Sequence, residues 1–132
     1  VRDVDRATLV RTADGMIAMH GAEHALQAVV PLTCGCERMD VGSHFSWMVP
    51  AFGRSAIFLY DTTPGGTGIS QGAYEEMTRL LEMASALVRE CPCQEGCPSC
   101  LHSPVCPVRN DGLDKRQTML LLDWLREQGE RA

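Results

Sequence analysis

Apolar residues along this chain follow two different periods, and the switches between them mark out the elements. From about Ala13 to Val30 the residues Met19, Ala22, Leu26, Val29 and Val30 recur at helical spacing, with His20, His24 and Gln27 on the opposite side. This pattern predicts a first helix that closes near Pro31. Residues 33–43, TCGCERMDVGS, read as a turn-rich loop. His44 to Val49 then alternates, with Phe45, Trp47 and Val49 on one face, as a half-buried strand does. Pro50 and Gly53 mark a turn. Ser55 to Tyr60 is a continuous apolar run of strand length, which predicts a central strand covered on both faces. A loop of about five residues lets the two strands pair as a hairpin.

The segment Asp61-Thr62-Thr63-Pro64-Gly65-Gly66-Thr67-Gly68 breaks the strand and opens a second helix, the strongest periodic signal in the chain. Ile69, Ala73, Met77, Leu80, Leu81, Ala84, Leu87 and Val88 recur at i, i+3, i+4 spacing. A last helix is expected from near Asp111, a good N-cap, with Asp114 three residues later at the end of the dipole that favours an acid. Leu113, Leu120, Leu121, Trp124 and Leu125 form its expected apolar stripe. The expected fold is a small single α+β domain, with helices packed on a short β-sheet or hairpin and a cysteine knuckle between the last two helices. Residues 1–12 read as an incoming linker, 13–128 as the folded domain and 129–132 as a tail.

Composition narrows the function classes. The chain has 132 residues, enough for one domain that buries roughly two-thirds of its unfolded surface without staples. The formal net charge is -5, and the basic residues are scattered, which argues against an autonomous nucleic-acid binder. No apolar run approaches the ~20 residues of a membrane span. The N-terminal stretch carries Arg2, Asp3, Asp5, Arg6 and Arg11 in place of an apolar signal region, so a cytoplasmic location is expected. The chain begins at Val1, not Met, as a piece of a longer protein would.

The run CPCQEGCPSCLHSPVC concentrates five of the seven cysteines: Cys91, Cys93, Cys97, Cys100 and Cys106. Its centre, Cys97-Pro98-Ser99-Cys100, is a C-x-x-C knuckle that lets two sulfurs converge on one ion while backbone amides point at them. Thiolates of this density suit a soft, tetrahedral, redox-inert ion, and zinc leads over an iron–sulfur cluster. One structural zinc needs four of the five. The second pair comes from Cys91, Cys93 and Cys106, and the sequence leaves open which is spare. Disulfides fit less well, because the cysteine count is odd and Cys91–Cys93 is a poor disulfide loop.

Other groups need weighing against plainer roles. His20-Gly21-Ala22-Glu23-His24 matches H-x-x-E-H, in which two histidines one turn apart hold zinc and the glutamate activates water. A zinc metallopeptidase using His20, Glu23 and His24, with Glu75 or Glu76 as a third ligand, is therefore the alternative. Against it, the motif has three fixed residues and Gly21 is a poor helix residue, so a polar helix face packed on a neighbour is favoured. Pro64 to Gly68 lacks the lysine of a nucleotide-binding P-loop and reads as a tight turn with Asp61 bonding its own loop. Cys34 and Cys36 read as free or buried thiols. Asn110, Asp114, Lys115 and Arg116 read as capping and solvating the last helix.

Several blocks in order resemble one module: Glu23 to Leu26 (E-H-A-L), Tyr60 to Gly68 (Y-D-x-x-P-G-G-x-G), Cys91 to Cys100 (C-x-C-x-x-G-C-P-S-C), Cys106, and Asn110 with Leu113 to Lys115 (N-x-x-L-D-K). This resembles the MrfA-type zinc-binding (MZB) domain found at the C-terminus of DEAD/DEAH-box superfamily 2 helicases. The resemblance spans about Thr12 to Trp124. It implies a zinc site in the cysteine block and a non-catalytic accessory role in an ATP-driven DNA helicase of DNA-repair or phage-defence type. The implied partners are the motor domains of the same parent chain, and DNA through that parent. No Walker A motif and no D-E-x-H box stand in this chain, so it is not expected to hydrolyse ATP alone. Cys34 and Cys36 fall outside the pattern.

Overall fold

The computed structural model describes residues 2–4, 15–50 and 54–131. In chain order these form β1 (Arg2–Val4), α1 (Gly15–Cys34), β2 (Val41–Val49), β3 (Arg54–Asp61), α2 (Ile69–Glu75), α3 (Met77–Glu90) and α4 (Lys115–Arg131), with a 3-10 turn at Arg38–Asp40. The architecture is the expected α+β arrangement: four α-helices against a small antiparallel sheet, with the cysteine block between α3 and α4.

The sheet has the order β1-β3-β2. β3 is thus central, as its unbroken apolar run predicts. Ser55, Ala56 and Ile57 are all buried, so both faces of the strand are covered there. β2 pairs with β3 from Val41↔Asp61 through Phe45↔Ile57 to Val49↔Arg54, with an irregularity between Ser46 and Val49. Opposite Gly42 stands Tyr60, whose ring fills the space a Cβ at position 42 would take. On the other edge, Arg2–Val4 pairs antiparallel with Ser55–Ile57. These three residues sit in the segment expected as an incoming linker, but they form a strand.

α1 runs through the middle of the fold and packs against α3, α4 and β2. The expected stripe of Met19, Ala22, Leu26, Val29 and Val30 is buried, but so are His20, Glu23, His24 and Gln27 on the other side. The expected start at Ala13 lies outside the described residues. At the other end the helix continues to Cys34, with Pro31 inside its last turn rather than stopping it. The region expected as a loop over 33–43 accordingly shrinks to the 3-10 turn and its approach, because β2 already begins at Val41.

The second periodic segment is two helices, broken at Glu76. Its backbone leaves the helical region (φ -101, ψ 19) while its amide still reaches the Gly72 carbonyl at 3.1 Å. Leu80, Leu81, Ala84 and Val88 of α3 enter the core as expected. The last helix differs more. It starts at Lys115, and the capping residue is Asp114, whose Oδ2 accepts from the Gln117 amide at 2.9 Å; Asp111 lies upstream in the loop. The expected stripe is shifted too: Leu121 and Leu125 are buried, Leu122 joins them, and Leu120 is exposed. Leu113 precedes the helix and packs on the core from the loop.

The central helix approach explains Gly21. A Cβ there would stand 1.7 Å from Thr118 Oγ1 and 2.9 Å from Thr118 Cβ. α1 and α4 cross at this point with no room for a methyl group. The helix-breaking residue counted against H-x-x-E-H is therefore a packing requirement, and Thr118, fully buried, bonds its hydroxyl back to the Asp114 carbonyl at 2.7 Å.

Candidate metal centre

The cysteine block leaves α3 at Cys91 and folds into a compact knuckle. Cys97 O receives the amides of Cys100, Leu101 and His102 at 3.1, 2.9 and 3.0 Å. Gly96 adopts φ 119, and a side chain there would meet Leu101 at 2.9 Å, so only glycine serves this turn. The chain's one lysine completes the structure. Lys115, buried at the first turn of α4, donates its ammonium to Cys91 O at 2.5 Å and Cys93 O at 2.7 Å. It was expected to solvate the last helix; instead it ties that helix to the cysteine block. Asn110 also turns inward, with Oδ1 accepting from the Ser103 amide and Nδ2 donating to the Ser103 carbonyl.

Four sulfurs converge. Cys91 and Cys97 lie 3.5 Å apart, Cys93 and Cys100 3.5 Å, and Cys97 and Cys100 3.9 Å. Four thiolates about 2.3 Å from one zinc stand about 3.8 Å from one another at tetrahedral angles. A disulfide needs about 2.05 Å, and all seven cysteines are free. The donor set is soft, and its geometry can hold one ion among Cys91, Cys93, Cys97 and Cys100. The Ser99 amide, with help from the Cys91 thiol, holds Cys97 down to about 7, so one sulfur is ready as a thiolate near neutral pH. Burial pushes Cys100 up to about 12, a proton that an incoming cation would displace.

Cys106 is not with this group. Its sulfur lies 3.4 Å from His20 Nε2, and it forms a second cluster with His20 and His24. Both imidazoles are buried and held through Nδ1, His20 against the Gly112 carbonyl at 3.1 Å and His24 against the Leu101 carbonyl at 2.9 Å. Burial lowers His24 to about 4 and raises Glu23, its neighbour at 3.9 Å, to about 7. Gln27 also finds partners, donating to Val41 O and accepting from Ser43 Oγ. Glu75 and Glu76, offered as a third ligand beside the histidines, instead line a separate cleft with Cys34 and Gly68. Cys34 lies half-buried by Thr33, and Cys36 is half-buried as well.

The Gly-rich loop behaves as expected. Gly65, Gly66 and Gly68 all have positive φ, and Asp61 accepts from the amides of Thr67 (2.7 Å), Gly68 (3.0 Å) and Ser70 (2.7 Å). These amides hold the Asp61 carboxyl below its ordinary range. Three of the amides here are occupied by the loop's own aspartate and the Gly66 amide by the Thr63 carbonyl, as in a tight turn.

A four-cysteine knuckle clamped to a small α+β body defines a zinc-binding domain. The family model of the MrfA Zn-binding domain matches residues 22–101. The chain belongs to this family of zinc-binding domains. It is 33% identical over 106 residues to the uncharacterized ATP-dependent helicase YprA of Bacillus subtilis, covering 80% of this chain and 14% of that protein. It is 30% identical over 113 residues to the uncharacterized protein MJ1572.1 of Methanocaldococcus jannaschii, covering 81% of this chain and 98% of that one. Among solved structures, the DUF1998 helicase MrfA bound to DNA superposes with a TM-score of 0.71 at 30% identity, over 94% of this chain and 15% of the helicase. The chain thus corresponds to a small part of those helicases. None of these relatives favours the peptidase alternative. Among the described residues, no helix is long and apolar enough to cross a membrane.

Proposed function

We propose that this chain is the non-catalytic zinc-binding domain of an ATP-dependent DEAD/DEAH-box DNA helicase, working in the cytoplasm in DNA repair or phage defence. One structural zinc is held by Cys91, Cys93, Cys97 and Cys100, within a domain spanning 13–128. The convergence of those four sulfurs carries the reading. Zinc there clamps the segment between α3 and α4, and Lys115 passes that order to α4 through the Cys91 and Cys93 carbonyls. A surface fixed in this way serves docking on the motor domains or guiding of a DNA strand. The net charge of -5 suits protein contacts at least as well as DNA contacts.

The test is zinc content with the Cys97→Ser variant. The four-sulfur site should be lost and the melting temperature should fall by several degrees. Unchanged zinc with a sulfur-only shell would sink the assignment. For the accessory role, the parent helicase lacking this domain should lose DNA-stimulated unwinding; normal unwinding would refute it.

A further inference from the structure

We propose a second metal site, separate from the four-cysteine knuckle, in which His20 Nε2, His24 Nε2 and Cys106 Sγ bind one zinc-class divalent ion. The three donor atoms lie within 4.8 Å of one another, and His20 Nε2 to Cys106 Sγ is 3.4 Å. A nitrogen about 2.0–2.1 Å and a sulfur about 2.3 Å from a tetrahedral zinc stand roughly 3.5 Å apart. His20 and His24 are one helical turn apart on α1, so both rings project from the same side. Their centroids are 4.5 Å apart and the rings are nearly perpendicular, at 76°.

The orientation of the rings argues for ligands rather than filler. Each imidazole places Nδ1 against a backbone carbonyl, Gly112 for His20 and Leu101 for His24. A carbonyl only accepts, so each Nδ1 carries a proton, and in the neutral ring each Nε2 then keeps its lone pair. Both lone pairs then belong to the cluster that includes Cys106. A carbonyl bonded to the far ring nitrogen in this way fixes tautomer and aim in histidine metal sites. The two carbonyls come from the segment that follows the knuckle, and Leu101 is the residue next to Cys100. Folding of the four-cysteine block therefore aligns the second site.

The donor set is mixed, two nitrogens and one thiolate, which leaves a fourth position. His24 and Cys106 also line a cleft of about 310 Å³, together with Glu23, Arg38 and Ser103. Water or the Glu23 carboxylate, 3.9 Å from His24 Nε2, can complete the tetrahedron from that side. A sulfur-only shell marks the knuckle, and a nitrogen-containing shell marks this site.

The test is metal counting and X-ray absorption on the zinc-reconstituted 132-residue chain. Two zincs per chain, with an average sulfur number well below four and a resolved imidazole contribution, are expected. Cys106→Ala should bring the count to one and restore a sulfur-only shell. Because the wild-type count needs no variant, misfolding of Cys106→Ala does not blunt the test. One zinc in a sulfur-only shell for the wild type would overturn the second site and reduce the cluster to a thiol–imidazole hydrogen bond. One zinc in a mixed nitrogen–sulfur shell, lost in Cys106→Ala, would uphold this site and instead refute the four-cysteine reading.

Discussion

Gly21→Ala separates packing from propensity in the centre of this fold. In a solvent-exposed helix the change stabilises by about 1 kcal/mol, because alanine loses less backbone entropy. Here the new methyl would stand 1.7 Å from Thr118 Oγ1, about half of an ordinary carbon–oxygen contact. Turning the Thr118 side chain does not free the space, since Thr118 Cβ remains at 2.9 Å. Such a turn would also break the bond to the Asp114 carbonyl, worth about 1 kcal/mol. α1 and α4 must therefore separate, an overpacking penalty at the upper end of about 1–3 kcal/mol. Net of the propensity gain, a loss of about 2 kcal/mol follows, or roughly 6–10 °C in melting temperature for a domain of this size. Gly72→Ala supplies the control. It lies within α2, and its added Cβ would meet only Cys34 Sγ at an ordinary 3.7 Å, so a gain of about 0.5–1 kcal/mol is expected. Urea unfolding of zinc-saturated protein measures both. Thr118→Ala added to Gly21→Ala should recover at least ~1 kcal/mol as coupling between the sites. A Gly21→Ala protein as stable as wild type, or more so, would refute the close helix crossing.

Lys115→Met keeps the buried stem but leaves the Cys91 and Cys93 carbonyls without their donor; zinc affinity should fall about 10–100-fold, measured by chelator competition, and an unchanged affinity would remove Lys115 from the site's support. Asp61→Ala takes the acceptor from three amides, so hydrogen exchange at Thr67, Gly68 and Ser70 should accelerate while zinc content stays constant. The pH sign follows from the depressed carboxyl: Asp61 supports the loop above its ordinary value of 3.8 and loses that role as acid titrates it through its lower folded value. Protection of the Thr67 amide that is equal in wild type and variant at neutral pH would contradict this.

What the sequence determined alone were features set by neighbours along the chain. The apolar run of residues 55–60 marked the central strand, the i, i+3, i+4 pattern found the core face of α3, and the glycines after Asp61 announced a positive-φ turn. The convergence of Cys91, Cys93, Cys97 and Cys100 was legible because a knuckle closes over short spans. Cys106 was grouped with them for the same reason, its nearness in sequence. Only the tertiary structure sets it beside His20, 86 positions away. The same limit hid the second role of Lys115, whose partners lie 24 and 22 residues back, and the reason for Gly21, whose constraint is Thr118 on another helix. The apolar stripe of α4 shifted because burial there depends on where α1 and α3 cross it, so Leu122 is covered and Leu120 is left in solvent. Spacing fixes which groups can meet locally; the packing of α1 against α4 and the cysteine block decides which distant ones do.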